Sequence, residues 1–234
     1  MIKNDLILEN PMRFLDDGSD NILEKGELGA VLARAGVGKT AFLVQIALDS
    51  LLRYKNVIHV SVDDPVSKIC VWYEEIFKNI AARCNVSDVD SVFEKLLHKR
   101  FIMTFKIDGF SIPKLKERIT ELAEQNIFKP AMIIIDGFSF DNAKENLAAF
   151  KKFAEEYSLK VWFAILTHKD EKLSKNNIPE QFSEISDFFK AAIQLKPDAK
   201  NVNVEILKGV SESYALNRQR LILESNTMLL TKNE

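Results

Sequence analysis

The sequence predicts an α/β domain built on a mainly parallel sheet, and three features support this prediction. A short apolar run, residues 28–32, leads through a glycine-containing loop into a helical run, residues 41–54. A second run, residues 131–135, is apolar on both faces, as strands buried between two layers of helices are. The third feature is a closing series of strand candidates with turn signals between them, which predicts antiparallel ribbons at the end of the sheet. These candidates are residues 191–195, 202–207, 220–223 and 228–231.

Between these runs, strand and helix patterns alternate along the chain. β-branched and aromatic residues predict strands at 56–62, 100–107 and 161–166. Apolar residues at helical spacing predict helices at 66–83, 88–99 and 141–157. A further helix is predicted to begin after the cap residue Ser111, with Pro113 in its first turn.

Two of the predicted helices carry residues that need interpretation. In the helix at 41–54, Gln45, Asp49 and Arg53 lie four residues apart and predict one narrow solvent-facing stripe. Trp72 and Tyr73 could form a stacking platform for a nucleic acid base, but their helical spacing favours packing in the core.

The composition is that of an ordinary globular protein, with 234 residues, 47% of them hydrophobic and 28% charged. No linker or internal repeat divides the chain, so we expect one domain, with residues 1–21 as a lead-in and residues 22–225 as the core. The formal net charge of −2 argues against a constitutive polyanion-binding surface. Because the N-terminus lacks a signal-peptide pattern and no membrane-spanning run is present, we expect a cytoplasmic protein without a membrane partner.

The loop after the first strand has the residue types of a phosphate-binding site. We call it the glycine loop; it reads Ala33-Arg34-Ala35-Gly36-Val37-Gly38-Lys39-Thr40 and is followed by Ala41. Gly36 and Gly38 lack a Cβ, so the backbone can turn its N–H groups toward a phosphate at the start of a helix. Lys39 can reach the β- and γ-phosphate oxygens of a nucleotide, and the Thr40 hydroxyl can join the shell of a Mg²⁺ ion. An ordinary glycine turn is the alternative, but the order of strand, loop and helix favours the phosphate site.

Carboxylates follow two of the predicted strands. Because the carboxyl ends of parallel strands form a ligand crevice, Asp63 can orient or deprotonate the water that attacks a γ-phosphate. The alternative is that Asp64 caps the next helix, with Pro65 in its first turn. Asp136 ends the apolar run at 131–135 and can hold Mg²⁺ through its water shell. The alternative for Asp136 is a plain turn formed with Gly137.

The strand at 161–166 ends in Thr167 and His168, which we expect at the same crevice. There they could sense the γ-phosphate and relay its presence to the following loop, residues 169–181. A lone histidine is more often a surface residue. The lysines of that loop, Lys169, Lys172 and Lys175, are the strongest local support for nucleic acid binding, but a solvated surface is the favoured explanation.

Taken together, residues 33–42, the stretch Ser61-Val62-Asp63-Asp64 and the strand end Ile133-Ile134-Ile135-Asp136 resemble the RecA-like P-loop ATPases. The similarity is greatest to the KaiC-like and DnaB-type helicase branch, where Ala-Arg before the loop and Ala-Phe after the threonine are familiar. The resemblance covers residues 22–225. It implies a three-layer α/β domain in which a further strand separates the two that carry the glycine loop and Asp136. It also implies that ATP and Mg²⁺ bind at the edge between subunits of a ring or filament.

The resemblance also assigns roles to two residues, and the sequence departs from the family at both. Asp63 matches a catalytic glutamate by position but is one methylene shorter. Lys208 matches a lysine that reaches a neighbouring subunit's γ-phosphate, and Gly209-Val210 follows where the family has a second basic residue. Both departures affect hydrolysis rather than nucleotide binding. They predict slow hydrolysis, because a misplacement of about 1 Å can cost on the order of a hundredfold in rate.

We therefore expect an ATP-binding protein that hydrolyses ATP slowly and acts as a switch for assembly or regulation. Its expected partners are further copies of the chain or another protein. Two alternatives stay open: an ATP-gated binding module without turnover, and a DNA helicase or recombination ATPase, which the charge does not support.

Overall fold

Nine strands of the described chain form one sheet. They are β1 (Leu28–Ala33), β2 (Val57–Val62), β3 (Arg100–Phe105), β4 (Met132–Phe138), β5 (Lys160–Leu166), β6 (Ala191–Pro197), β7 (Val202–Lys208), β8 (Leu221–Leu223) and β9 (Leu230–Lys232). The α-helices that accompany them are α1 (Lys39–Leu52), α2 (Val66–Ala82), α3 (Val89–Leu97), α4 (Ile112–Glu124), α5 (Ala143–Glu156) and the short α6 (Glu180–Ser183). Single 3-10 turns lie at Pro11–Phe14 and Ser186–Phe188.

These coordinates come from a computed structural model, which describes most of the chain. The described residues are 6–7, 10–15, 22–62, 64–84, 88–106, 109–138, 143–168, 174, 178–198, 200–209 and 220–233. Within these ranges, no helix is both long enough and apolar enough to cross a membrane.

The sheet is parallel over most of its width and antiparallel at its C-terminal edge. The strand order is β3-β2-β4-β5-β1-β6-β7-β8-β9. Every pairing from β3 across to β6 is parallel, whereas β7, β8 and β9 are added in antiparallel fashion. The predicted α/β class, mainly parallel sheet and antiparallel C-terminal strands are confirmed. One further strand, β5, separates β1 from β4.

Helices cover both faces of the sheet, which is why its central strands are apolar on both sides. Neighbouring side chains of β4 alternate between two cores: Ile134 packs with the residues of α1 and α2, and Ile133 and Ile135 pack with those of α4 and α5. This division into helices, sheet and helices is compatible with a three-layer α/β fold.

The predicted strands and the five longer helices are all present, with boundaries shifted by a few residues. Ser111 caps α4 as predicted, because its hydroxyl accepts a hydrogen bond from the Lys114 N–H at 3.4 Å. Tyr73 is fully buried and Trp72 is partly buried against the same core, which confirms the core interpretation of this pair. The helix α6 was not predicted, since four residues are too few to show a periodic pattern.

The predicted solvent-facing stripe of α1 is wrong at Gln45. This side chain is fully buried. Its Nε2 donates to the Met228 carbonyl oxygen at 2.8 Å, and its Oε1 accepts from the Leu230 N–H at 2.9 Å. The Gln45 amide therefore completes the backbone hydrogen bonds at the entry to β9, a segment that is remote in sequence. The next two polar residues of the stripe, Asp49 and Arg53, are partly exposed and form an ion pair of 3.0 Å.

Candidate functional site

The glycine loop lies between the carboxyl end of β1 and the first turn of α1. Gly36 and Gly38 have φ values of 74° and 107°, in the left-handed region that favours glycine. A Cβ on Gly36 would meet nothing within 4 Å, so the space beside this residue is open. A Cβ on Gly38 would lie 2.7 Å from Met228 Cε and 2.9 Å from Leu223 Cδ2. One side of the loop is therefore open, and the other packs closely on the C-terminal strands.

Lys39, the first residue of α1, folds back over the loop. Its Nζ donates to the carbonyl oxygens of Ala33 at 3.0 Å and of Arg34 at 2.9 Å. Burial lowers the pKa of Lys39, and the negative charge of Asp136 opposes that shift. An ammonium group carries three protons. The two carbonyl oxygens take two of them, which leaves the third able to donate to an anion above the loop.

Thr40 and Asp136 meet across a separation of 96 residues, where Thr40 Oγ1 donates to Asp136 Oδ2 at 2.6 Å. The Asp136 side chain is 12% exposed. Burial raises the pKa of Asp136, whereas the Thr40 hydrogen bond and the Lys39 charge act in the opposite direction. The arrangement thus places one hydroxyl, one carboxylate and one ammonium group together at the start of α1.

The backbone at Asp136 is a strand with an irregularity, not a turn. β4 continues to Phe138, and its register against β5 shifts between Asp136 and Phe138. Gly137 has a φ of 107°, and a Cβ there would lie 2.9 Å from Val62 Cβ on β2. The alternative of a plain turn at Asp136-Gly137 is therefore wrong. Glycine is needed here because β2 approaches closely.

His59 of β2 lies behind Asp136 and was not predicted as a site residue. Its Nε2 is 3.9 Å from Asp136 Oδ2, and its Nδ1 is 3.2 Å from the Tyr73 hydroxyl. The ring is fully buried, and burial, together with the nearby charge of Arg100, lowers the pKa of His59 to about 3. In the sequence, a histidine among the β-branched residues of a strand was the one available signal.

The predicted residues after β2 are placed only in part. Asp63 lies outside the described residues, so its role as the residue that positions water stays a prediction. Asp64 pairs with Lys68 at 2.8 Å, and its backbone oxygen accepts from Ser61 Oγ at 3.1 Å. The N-cap of α2 is Pro65, without a side-chain cap bond, so the alternative in which Asp64 caps this helix is wrong.

Thr167 and His168 follow β5, the neighbour of β1. The Thr167 N–H donates to the Ala33 carbonyl oxygen at 3.0 Å, the same oxygen that accepts from Lys39. Thr167 is buried and His168 is exposed. The end of β5 is therefore bonded directly to the start of the glycine loop, whereas most of the loop after His168 lies outside the described residues.

Lys208 lies away from the glycine loop. β7 runs antiparallel to β6, and Lys208 pairs with Ala192 near the start of β6. This is the amino end of the parallel strands, whereas the glycine loop follows the carboxyl end of β1. Its Nζ donates to the Ser186 carbonyl oxygen at 3.1 Å, and the side chain is exposed. Its predicted contact with a neighbouring subunit stays a prediction, and Val210 lies outside the described residues.

A cavity of about 810 Å³ also lies away from the loop. The C-terminal turn of α1, the start of β4 at Met132 and the start of β5 at Lys160 line it. None of the predicted site residues that the structure describes contributes to this cavity, so the cavity is separate from the chemistry at Thr40 and Asp136.

Comparison with known proteins adds no identification, since no protein-family model matches the chain and no curated protein matches it significantly. In the described ranges, no group of three or more histidine, cysteine, aspartate or glutamate residues could hold a metal ion. A Mg²⁺ site made of one hydroxyl, one carboxylate, water and phosphate oxygens does not need such a group.

Proposed function

We propose that this protein binds ATP and Mg²⁺ at the glycine loop, hydrolyses ATP slowly and uses the nucleotide state to control its assembly or its choice of protein partner. The hydrogen bond of 2.6 Å from Thr40 Oγ1 to Asp136 Oδ2 carries the proposal. A nucleotide site of this class needs a hydroxyl after the loop lysine and a carboxylate at the end of a buried strand, directed at one metal ion. An ordinary glycine turn has no reason to meet that carboxylate.

The residues at the loop fit ATP and Mg²⁺. The third proton of Lys39 and the backbone N–H groups at the start of α1 would hold phosphate oxygens, and the open side of Gly36 gives them room. Thr40 and Asp136 would hold Mg²⁺, with the Thr40 hydroxyl keeping its proton and still donating it in a hydrogen bond to the carboxylate. Bound Mg²⁺ would neutralise charge that develops on the γ-phosphate.

We also propose that the α/β fold is a RecA-like P-loop domain. The strand order supports it, because β5 lies between the strand that leads into the loop and the strand that carries Asp136. The bond from Thr167 to Ala33 supports a role for the end of β5 in sensing the γ-phosphate, since a change at the loop would be felt there directly.

Slow hydrolysis follows from the residues that would complete catalysis. Asp63 is the proposed water-positioning residue and is shorter than the glutamate it would replace. Lys208 is exposed and would act on a neighbouring subunit in a ring or filament. A binding module without turnover is the second candidate, and the Lys208 bond to its own chain at Ser186 favours it.

The test combines sizing by light scattering with phosphate release, measured without nucleotide, with ADP and with ATP. Lys39→Ala is the loss-of-binding variant, and Lys116→Ala, at an exposed lysine paired with Glu156, is its control. We expect ATP to change the size distribution of the wild type and the control but not of Lys39→Ala. GTP in a parallel series identifies the base preference.

Slow phosphate release that depends on Lys39 would support the ATPase, and assembly without release would support the binding module. A wild type that binds neither ATP nor GTP, by direct calorimetric titration, would overturn the proposal.

A further inference from the structure

His59 lies on the same face of the sheet as Asp136. Strands β2 and β4 pair with Ser61 opposite Asp136 and His59 opposite Ile134. Paired residues of parallel strands point to the same side, so the imidazole lies one step behind the carboxylate. The distance from Nε2 to Asp136 Oδ2 is 3.9 Å, and no other described carboxylate is paired with His59.

The second ring nitrogen determines where the imidazole proton lies. A neutral imidazole has one donor and one acceptor nitrogen. The Tyr73 hydroxyl is 3.2 Å from Nδ1, whereas Nε2 is buried and has no hydrogen-bond partner among the described residues. With the proton on Nδ1, the Nε2 lone pair would face a carboxylate oxygen. With the proton on Nε2, the Tyr73 hydroxyl donates to Nδ1 and the Nε2–H faces Asp136, so that no lone pair faces the carboxylate.

Arg100 contacts the ring of Tyr73, the residue that holds His59. Its guanidinium carbon is 4.5 Å from the centre of the Tyr73 ring, and its Nη2 donates to Cys70 Sγ at 3.4 Å. With Tyr73 held in this way, its hydroxyl stays 3.2 Å from Nδ1 and leaves Nε2 as the ring nitrogen that faces Asp136.

We propose that His59, held by Tyr73, is a positioning residue that donates its Nε2–H to the Asp136 carboxylate and so orients it for Mg²⁺. The metal part rests on the function proposed above; the N–H···O bond itself does not. The present 3.9 Å is longer than a hydrogen bond, and a rotation of the carboxylate that brings it about 1 Å closer would complete the bond. Partners behind a metal ligand fix its orientation in this way.

The first experiment examines the bond without any nucleotide. In the ¹⁵N-labelled full-length chain, ring nitrogen shifts report the tautomer of each of the three histidines, and His59→Gln identifies the signals of His59 by their loss. We expect the Nε2–H form, and we expect Asp136→Asn to move the Nε2–H proton signal upfield. Tyr73→Phe removes the hydroxyl alone and should weaken the preference for the Nε2–H tautomer, which Asp136 alone then maintains. An Nδ1–H form in the wild type, or a signal that ignores Asp136→Asn, would overturn the proposal.

Tyr157→Phe is the matched control, because it also removes one hydroxyl. That hydroxyl bonds to Thr120 at 3.0 Å, on the other side of the sheet. We expect this variant to leave the His59 signals unchanged. A change as large as that of Tyr73→Phe would mean that the signals report general loosening and would also overturn the proposal.

The second experiment measures how ATP affinity depends on Mg²⁺ concentration. His59→Leu should raise the Mg²⁺ concentration that gives half of the increase in ATP affinity by about tenfold, as when other hydrogen-bond partners of metal ligands are removed, with unchanged ATP binding in EDTA. His59→Gln keeps an N–H donor near the position of Nε2 and should recover part of the loss. Folded His59→Leu with the Mg²⁺ dependence of the wild type would overturn the orienting role. If the wild type binds no nucleotide, the proposed function fails, and the NMR experiment still decides on the bond.

Discussion

Two polar contacts tie α1 to distant parts of the chain, and they differ in how completely they are satisfied. Thr40, in the first turn, bonds to the partly exposed Asp136, and the nearby His59 Nε2 has no hydrogen-bond partner among the described residues. Gln45, one turn later, is fully buried and bonds to the backbone on both sides of Leu229. Buried polar groups that stabilise the fold have all their hydrogen-bond partners within the chain. Groups that receive a ligand have a donor or an acceptor left for it. We infer that the first contact serves binding and the second serves stability.

The largest expected effect is on the binding side of this comparison. Lys39→Ala should weaken ATP binding by about 100-fold, since hydrogen bonds to charged groups contribute about 1.5–3 kcal/mol each. The free energy of unfolding should change little, because the buried ammonium is itself costly. Calorimetric titration and urea denaturation measure the two quantities. If Lys39→Ala and the exposed control Lys116→Ala lost the same amount of ATP affinity, Lys39 would have no specific role in binding.

Next in size is the effect of Gln45→Leu on stability. The change leaves the Met228 carbonyl and the Leu230 N–H without their partner, and one such buried group costs about 1–3 kcal/mol. We expect the free energy of unfolding to fall by about 2 kcal/mol in urea titrations. Gln125→Leu, the same change at an exposed position, should have a much smaller effect. A loss of ATP affinity in folded Gln45→Leu greater than that of Thr40→Val would contradict the division of roles.

Thr40→Val should have a moderate effect confined to the metal. Valine has nearly the shape of threonine and lacks only the hydroxyl that donates to Asp136. We expect the Mg²⁺ concentration needed for tight ATP binding to rise by about tenfold, or ~1.4 kcal/mol, as for changes close to a metal. Thermal unfolding should change less than in Gln45→Leu, because Asp136 is partly exposed and water can replace the lost donor. Thr120→Val on α4 provides the matched control, and Thr40→Ser should restore most of the Mg²⁺ dependence.

The smallest effect is expected for Lys68→Ala. This lysine lies on the first turn of α2, is half exposed and pairs at 2.8 Å with Asp64, which precedes the helix. Exposed ion pairs contribute about 0.2–1 kcal/mol, so stability should fall by less than about 1 kcal/mol and ATP binding should not change. A clear loss of ATP binding in this variant would mean that the residues after β2 take part in binding, which would contradict this expectation.

The sequence predicted the elements around the glycine loop because the information there is local. A loop with two glycines before Lys39 has few alternative shapes, and an apolar strand that ends in Asp136 leaves the carboxylate at the sheet edge. Gln45 and His59 were not recognised, because their surroundings come from segments far away in the chain. The amide of Gln45 faces β9, 183 to 185 residues later. A polar residue at helical spacing otherwise looks like part of a solvated stripe.

The misassigned carboxylate has a similar explanation. Asp64 precedes Pro65, and an acidic residue before a helix predicts a cap. The choice between a cap and an ion pair depends on the side chain of Lys68, four residues away and on the first turn of α2. Spacing alone does not determine which of the two bonds forms.

The close packing of Gly38 against Met228 and Leu223 links the shape of the loop to the order in which the chain is made. During synthesis, the loop leaves the ribosome long before the strands that support it, because the chain emerges from its N-terminus. A nascent chain that stops before residue 220 would lack the partners of Gln45 as well as both side chains over Gly38. The glycine loop should therefore reach its final shape late, when β8 and β9 have been added.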